Sequence, residues 1–261
     1  MPLDWQRLAG QVTVKDIMTP RSELQCFTAG ENREEALSKA RANHYDVVPV
    51  EKDGRIISLL LAKESQECSL DRSWLISGDT DIPALLDVFV SSKRPALFVL
   101  ERQEIGGLVT PADLNRIPAR VFFYRLLAEL EWGLAELVRE RFDGDLEKAV
   151  SLLGPTRQKR VRCLSDKLRK SNAEITVLEA TDLGDLMTIV RKTEELYDSL
   201  GYPSGSQFKK ALGAIPKHFR NPTMHTVRNL FSSESGGIDK IQKYVGQIRD
   251  ILKRLEKSSE D

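Results

Sequence analysis

The chain has 261 residues, 41% hydrophobic and 30% charged, with 39 Lys plus Arg balancing 39 Asp plus Glu. That length and composition fit two globular domains and argue against a disordered chain. The three cysteines (Cys26, Cys68, Cys163) are widely spaced with no CxxC pair, which argues against a disulfide framework and a zinc site. The longest apolar run, Ile56 to Ala62, is strand-sized, so no membrane span is expected. The start shows no basic stretch followed by an apolar one, and a reducing cytoplasm is the expected location. Zero net charge gives no pointer to nucleic acid. Residues up to Arg120 nevertheless carry about three excess negative charges and the remainder about three positive ones.

Up to residue 120, short β-rich runs alternate with short helical patterns. Glu31 to Asn43 reads as a helix with Ala36, Leu37 and Ala40 on one face. Two strands follow, Asp46 to Glu51 and Arg55 to Leu61, joined by the hairpin turn Lys52-Asp53-Gly54. The order then recurs. Asp81 to Val90 is helical, with Ile82, Leu85, Leu86 and Phe89 on one face, and Ala96 to Glu101 and Ile105 to Val109 are strands about a turn. Pro111 opens a short helix, where its missing N–H is harmless. Two βαββα units at this spacing are an internal duplication.

The passage Val14-Lys-Asp-Ile-Met-Thr-Pro20 together with this duplication resembles a tandem CBS pair, or Bateman module, with repeat 1 over 12–66 and repeat 2 over 72–118. The resemblance implies small sheets packed back to back and a cleft for an adenosine nucleotide as regulatory ligand. Repeat 2 carries the family's Thr/Ser-x-x-Asp pattern as Gly107-Leu-Val-Thr110-Pro-Ala-Asp113. An aspartate can accept from both ribose hydroxyls and a threonine at a helix start can donate to phosphate; Thr110 also fits a plain helix cap. Repeat 1 has Leu61 and Glu64 at those positions, so one nucleotide per pair is expected. Lys93 and Arg94, ahead of the strand at Ala96, are candidate phosphate contacts, or simply a solvated loop.

From Arg120 onward the β patterns vanish. Helices are expected over Val121 to Phe142, Asp145 to Leu153, Thr156 to Ser171, Asp182 to Leu200, Ser206 to Ile215, Pro222 to Leu230 and Ile238 to Leu255. The first of these offers a rigid connection between the halves. The helix over 156–171 concentrates Arg157, Lys159, Arg160 and Lys167, which suit an RNA backbone or a solvated face; without interleaved aromatics, base stacking is not expected there.

Between two prolines lies Pro216-Lys-His-Phe-Arg220-Asn221-Pro222-Thr-Met-His225. Asn221 suits an N-cap and Pro222 a first helical residue, which would set Arg220, Asn221 and His225 beside a helix N-terminus. Histidine can exchange a proton with a ribose 2′-hydroxyl while arginine offsets phosphate charge. The stretch resembles the Arg-x4-6-His motif of HEPN domains, and residues 121–257 are similar to an all-α HEPN-like helical bundle. That resemblance implies a metal-independent endoribonuclease working as a homodimer on RNA, with Arg220 and His225 catalytic, Asn221 supporting and no metal required. Val227 stands where nucleotidyl-accepting members of the family carry tyrosine, which counts against that variant. The alternative is a non-catalytic module whose dimerisation or docking responds to nucleotide.

Overall fold

A computed structural model describes residues 12–171, 174–225, 227–231 and 237–258, without the side chains of 257 and 258. The described residues form two units, 12–122 with 231 and 237–242, and 123–230 with 243–258.

The first unit runs α1 (Val14–Ile17), β1 (Thr19–Pro20), β2 (Phe27–Thr28), α2 (Arg33–Ala42), β3 (Val47–Lys52), β4 (Arg55–Leu61), β5 (Gln66–Ser69), β6 (Leu75–Ser77), α3 (Ile82–Ser92), β7 (Leu97–Glu101) and β8 (Glu104–Val109). Local chemistry sets the boundaries. Asn32 caps α2 by accepting from the Glu34 N–H, and Asp81 caps α3 by accepting from the Ala84 N–H. Asp53 and Gly54 both take positive φ, as a tight hairpin turn requires.

Strand pairing reproduces the duplication. In one repeat β2 pairs parallel with β3 and β3 antiparallel with β4; in the other β6 pairs parallel with β7 and β7 antiparallel with β8. Both hairpins shift register at the equivalent place, Val50/Glu51 and Val99/Leu100. The fourth strand differs. β5 follows β4 in one sheet, whereas β1, from the N-terminal end of repeat 1, pairs with β8 in the other.

The second helix expected in repeat 1 is therefore absent, replaced by a turn and β5. The residues after Leu61 alternate rather than follow a helical period, and Cys68 and Leu70 pack on the inter-sheet core while their neighbours face outward. Alternation also explains the layers. Val48, Val50 and Leu60 pack with Leu37 and Ala40 of α2, whereas Val47 and Leu59 turn the other way onto Trp74, Phe98 and Leu108.

The helical unit comprises α4 (Ile117–Arg141, of which 123–141 belong here), α5 (Leu146–Ser151), α6 (Pro155–Arg169), α7 (Leu183–Lys192), α8 (Glu194–Ser199), α9 (Gly205–Leu212), a π-helical turn (Pro216–Arg220), α10 (Asn221–Met224) and the 243–258 portion of α11 (Gly237–Ser258). The single helix expected over 182–200 is broken at Thr193, whose extended backbone ends α7 and precedes α8. After α8, Gly201 takes a left-handed φ of +72° that closes the helix. Phe219, fully buried, sets its ring 5.5 Å from Phe123 and 6.0 Å from Tyr244, anchoring the π turn between α4 and α11. Among the described residues no helix is long and apolar enough to cross a membrane.

Candidate functional site

Repeat 2 builds its motif where β8 ends. Thr110 is extended, Pro111 starts a single 3-10 turn, and Asp113 closes a capping box. The Thr110 N–H and hydroxyl both donate to one Asp113 carboxylate oxygen, at 2.7 and 2.8 Å. Nε of Arg116 reaches the other oxygen at 2.8 Å, and Asp113 is 8% exposed. Arg116 also donates to the Met18 carbonyl at 2.8 Å and the Thr19 hydroxyl at 2.7 Å. Gly107 permits this corner: a Cβ there would sit 2.5 Å from the Thr19 carbonyl, across the β1–β8 pair. The lead-in Met18-Thr19-Pro20 thus lies against the motif of the second repeat.

Arg116 was not foreseen from sequence, although its place three residues after Asp113 was the available signal. A second Thr-x-x-Asp also escaped that reading. Thr13 and Asp16 form the same box at the start of α1, with N–H and hydroxyl contacts of 2.7 and 3.1 Å. In repeat 1, Leu61 has no hydroxyl to offer, and Lys63 of the following turn pairs with Asp46 at 2.8 Å.

Lys93 and Arg94 have other partners. Lys93 ends α3 in a left-handed conformation and pairs with Asp239 at 2.9 Å. Arg94 lies over the Trp74 ring, 3.9 Å from its centroid, and donates to the Ser73 hydroxyl.

The Arg220 segment departs from expectation. The Asn221 N–H donates to the Pro216 carbonyl five residues back, so the chain is already helical before Asn221, whose φ and ψ are −62° and −47°. Asn221 is therefore no N-cap, and no helix N-terminus opens beside Arg220. The expected helix over 222–230 is also shorter: α10 ends at Met224, and His225 leaves it with φ −105° and ψ 91°.

Of the motif residues, only Arg220 and Asn221 meet through their side chains; His225 is joined to Asn221 through the backbone alone. Arg220 donates to the Asn221 side-chain carbonyl at 3.4 Å, the His225 N–H donates to the Asn221 backbone carbonyl at 3.2 Å, and His225 is exposed. Among the described residues, Nε of Arg220 is buried without a hydrogen-bond partner. Glu131 of α4 belongs to the same electrostatic neighbourhood. Burial pushes its carboxyl above the usual range, partly offset by the Arg220 charge and by the Leu183 N–H. A π turn is rare and often marks a functional position.

On α6 the cations separate into two sets. Arg157 turns inward to α7, donating from Nε to Asp185 at 2.7 Å and from a terminal nitrogen to Asp182 at 2.7 Å, with a further bond to Asp185. Those bonds raise the guanidinium pKa further, the Asp185 bond most, and they engage within the helical unit the arginine that was expected to contact RNA. Lys159, Arg160 and Lys167 remain exposed. Lys159, Arg162, Cys163, Asp166, Lys167 and Lys170 line an open groove of about 570 Å³. Among the described residues no three of His, Cys, Asp or Glu gather as metal ligands.

No protein-family model and no curated protein matches the chain. Solved structures similar to its N-terminal part include the CBS domain of a bacterial CNNM/CorC family Mg2+ transporter in complex with ATP, at 23% identity over 42% of this chain and 88% of that one, TM-score 0.36. A CBS-domain pair with bound AMP from Klebsiella pneumoniae is 21% identical over 40% of this chain and 95% of its own, TM-score 0.33. A hemolysin-like protein containing a CBS domain, from Oenococcus oeni, is 16% identical over 42% and 91%, TM-score 0.33.

Proposed function

We propose that this protein is a nucleotide-responsive, metal-independent endoribonuclease, in which a CBS-type pair with one working half-site at Thr110 and Asp113 regulates a HEPN-type helical unit. The observation that carries the catalytic half is Arg220. A half-buried arginine whose Nε is buried and, among the described residues, without a hydrogen-bond partner, in a π turn that precedes an exposed histidine, is under-satisfied by its own protein. Leaving such a donor unpaired costs about 1–3 kcal/mol, a deficit that an anionic ligand relieves.

In the proposed step His225 accepts the proton of a ribose 2′-hydroxyl. The 2′-oxygen bonds to phosphorus as the bond to the 5′-oxygen breaks, and the leaving oxygen takes up a proton from solvent water, giving a cyclic phosphate and a 5′-hydroxyl. Arg220 stabilises the charge gathering on the phosphate, and Asn221 holds the guanidinium. Lys159, Arg160 and Lys167 supply backbone contacts for RNA. At the sensor, an adenosine ribose approaching Asp113 takes over the carboxylate oxygen now held by Arg116, releasing that arginine from Met18 and Thr19.

The test is cleavage of single-stranded RNA in the presence of EDTA. His225→Ala is expected to lose at least ~100-fold in rate, the scale of a positioned acid–base group. Turnover that survives unchanged in His225→Ala removes the proposed site. No turnover by the wild-type protein, with a nucleotide-dependent change in melting temperature, supports the non-catalytic module instead; the absence of a helix N-terminus at Asn221 favours that second reading.

A further inference from the structure

The groove on α6 combines charges of both signs. Its lining residues recur at steps of three and four, so they form one side of the helix. Lys159, Arg162, Lys167 and Lys170 are exposed there, and with them Asp166, the single acidic residue of α6. Among the described residues the ion pairs of α6 are made by Arg157 and Arg162 alone, so Lys159, Lys167 and Asp166 make none. Arg162 is held in place. Its Nε donates to Glu147 of α5 at 3.1 Å and a terminal nitrogen donates to the Gln158 side-chain carbonyl at 3.2 Å. Gln158 in turn spends its amide on the Ser151 and Leu153 carbonyls. A merely solvated helix face would pair Asp166 with Arg162 or Lys170, four residues to either side. A surface built for phosphate alone gains nothing from a carboxylate, whose charge repels that ligand.

We propose that this groove is a second nucleotide site, different in chemistry from the adenosine half-site of repeat 2, and that it takes a guanosine di- or triphosphate. Guanine is the common base whose edge offers two parallel donors, the N1–H and the 2-amino group, to the two oxygens of a carboxylate. Adenine, cytosine and uracil set acceptors beside their donors, and an acceptor against Asp166 is repelled. Lys167 and Lys170, flanking Asp166, supply donors for the guanine O6 next to that edge. Seven residues, roughly 10 Å at the helical rise, separate Asp166 from Lys159. A nucleotide with its base edge on Asp166 therefore runs past Cys163 and brings its phosphates to Arg162 and Lys159. That direction leads toward the N-terminus of a 15-residue helix, the end that attracts anions. The groove's volume of about 570 Å³ lies within the ~300–1,000 Å³ of small-molecule sites. No aromatic ring is among its lining residues, so the base is held by its edge and not by stacking.

This inference does not rest on the ribonuclease reading, because its readout is binding and not cleavage. The test is calorimetric titration of the full chain carrying Asp113→Ala, which takes the adenosine half-site out of play, with GTP, ATP and inorganic triphosphate. Wild type saturated with AMP repeats the titrations without that substitution. GTP should bind at least ~10-fold more tightly than ATP, the scale of charge-assisted hydrogen bonds. Adding Asp166→Asn should remove this preference and leave inorganic triphosphate bound as tightly as before or more so. Adding Lys159→Ala should weaken GTP and triphosphate alike. Both side chains are exposed, so circular dichroism should not change. Absence of GTP binding overturns the inference. Equal affinity for GTP and ATP overturns it too, reducing the groove to a non-selective anion surface. A GTP preference that survives Asp166→Asn puts the base elsewhere and likewise overturns it.

Discussion

Replacing Arg157 with alanine tests the role of this residue as a structural clamp. Its fork joins α6 to the first turn of α7 through Asp182 and Asp185, and the Asp185 side chain is only 4% exposed. The same carboxylates form the capping box of α7, so the substitution strands a buried charge and loosens a cap together. Removing one partner of a buried ion pair costs about 3–5 kcal/mol. Arg157 is 34% exposed, and solvent screening trims that to about 2–3 kcal/mol. At 2–4 °C per kcal/mol for a chain of this size, the melting temperature should fall by roughly 4–12 °C.

Thermal unfolding followed by far-UV circular dichroism reads this directly. Burial alone would raise the Asp182 carboxyl, but Arg157 and the Asp185 N–H together hold it below the usual carboxylate range. Its contribution is therefore complete above the ordinary aspartate pKa of about 3.9 and is lost as pH falls through the depressed value. The gap between wild type and Arg157→Ala should be full at neutral pH and shrink in strong acid. Arg157→Lys should restore only part of it, because an ammonium cannot fork. Lys159→Ala, exposed on the same helix, should stay within about 0.5 kcal/mol of wild type. If Arg157→Ala also stays within that margin, or its deficit ignores pH, the clamp is refuted.

Two other outcomes are expected. Asp113→Ala should abolish the rise in melting temperature produced by AMP or ATP, a stabilisation of about 2.7 kcal/mol at a hundredfold excess over Kd; an undiminished rise would move the nucleotide elsewhere. Burial raises the Glu131 carboxyl, so its ionisation weakens the fold: stability is full below the ordinary glutamate pKa of about 4.3 and partly lost as pH climbs through the raised value. Glu131→Gln should flatten that part of the stability–pH curve, and Arg220→Ala should steepen it by removing the charge that offsets burial.

The sequence by itself determined what depends on neighbours along the chain. The β-rich runs Val47–Lys52 and Arg55–Leu61, the Asp53-Gly54 turn, the helix start at Asp81 and the Thr110–Asp113 spacing all specify local structure, and the duplicated unit was legible from them. The order of candidate residues Arg220, Asn221 and His225 was legible too, but not their backbone. Asn221 and Pro222 read locally as a helix start; burial of Phe219 against Phe123 and Tyr244 instead accompanies a helical turn that runs straight through them.

Only the tertiary structure decided which long-range partner each charge takes. Arg157 is one of several cations on its helix by spacing, yet the carboxylates of Asp182 and Asp185, 25 and 28 residues onward, claim its fork. Arg116 became part of the Thr110–Asp113 corner because β1 pairs with β8 and delivers Met18 and Thr19, nearly a hundred residues earlier, to its side chain. Such partnerships depend on three-dimensional proximity and on the desolvation that comes with it, and neither is encoded in spacing along one element.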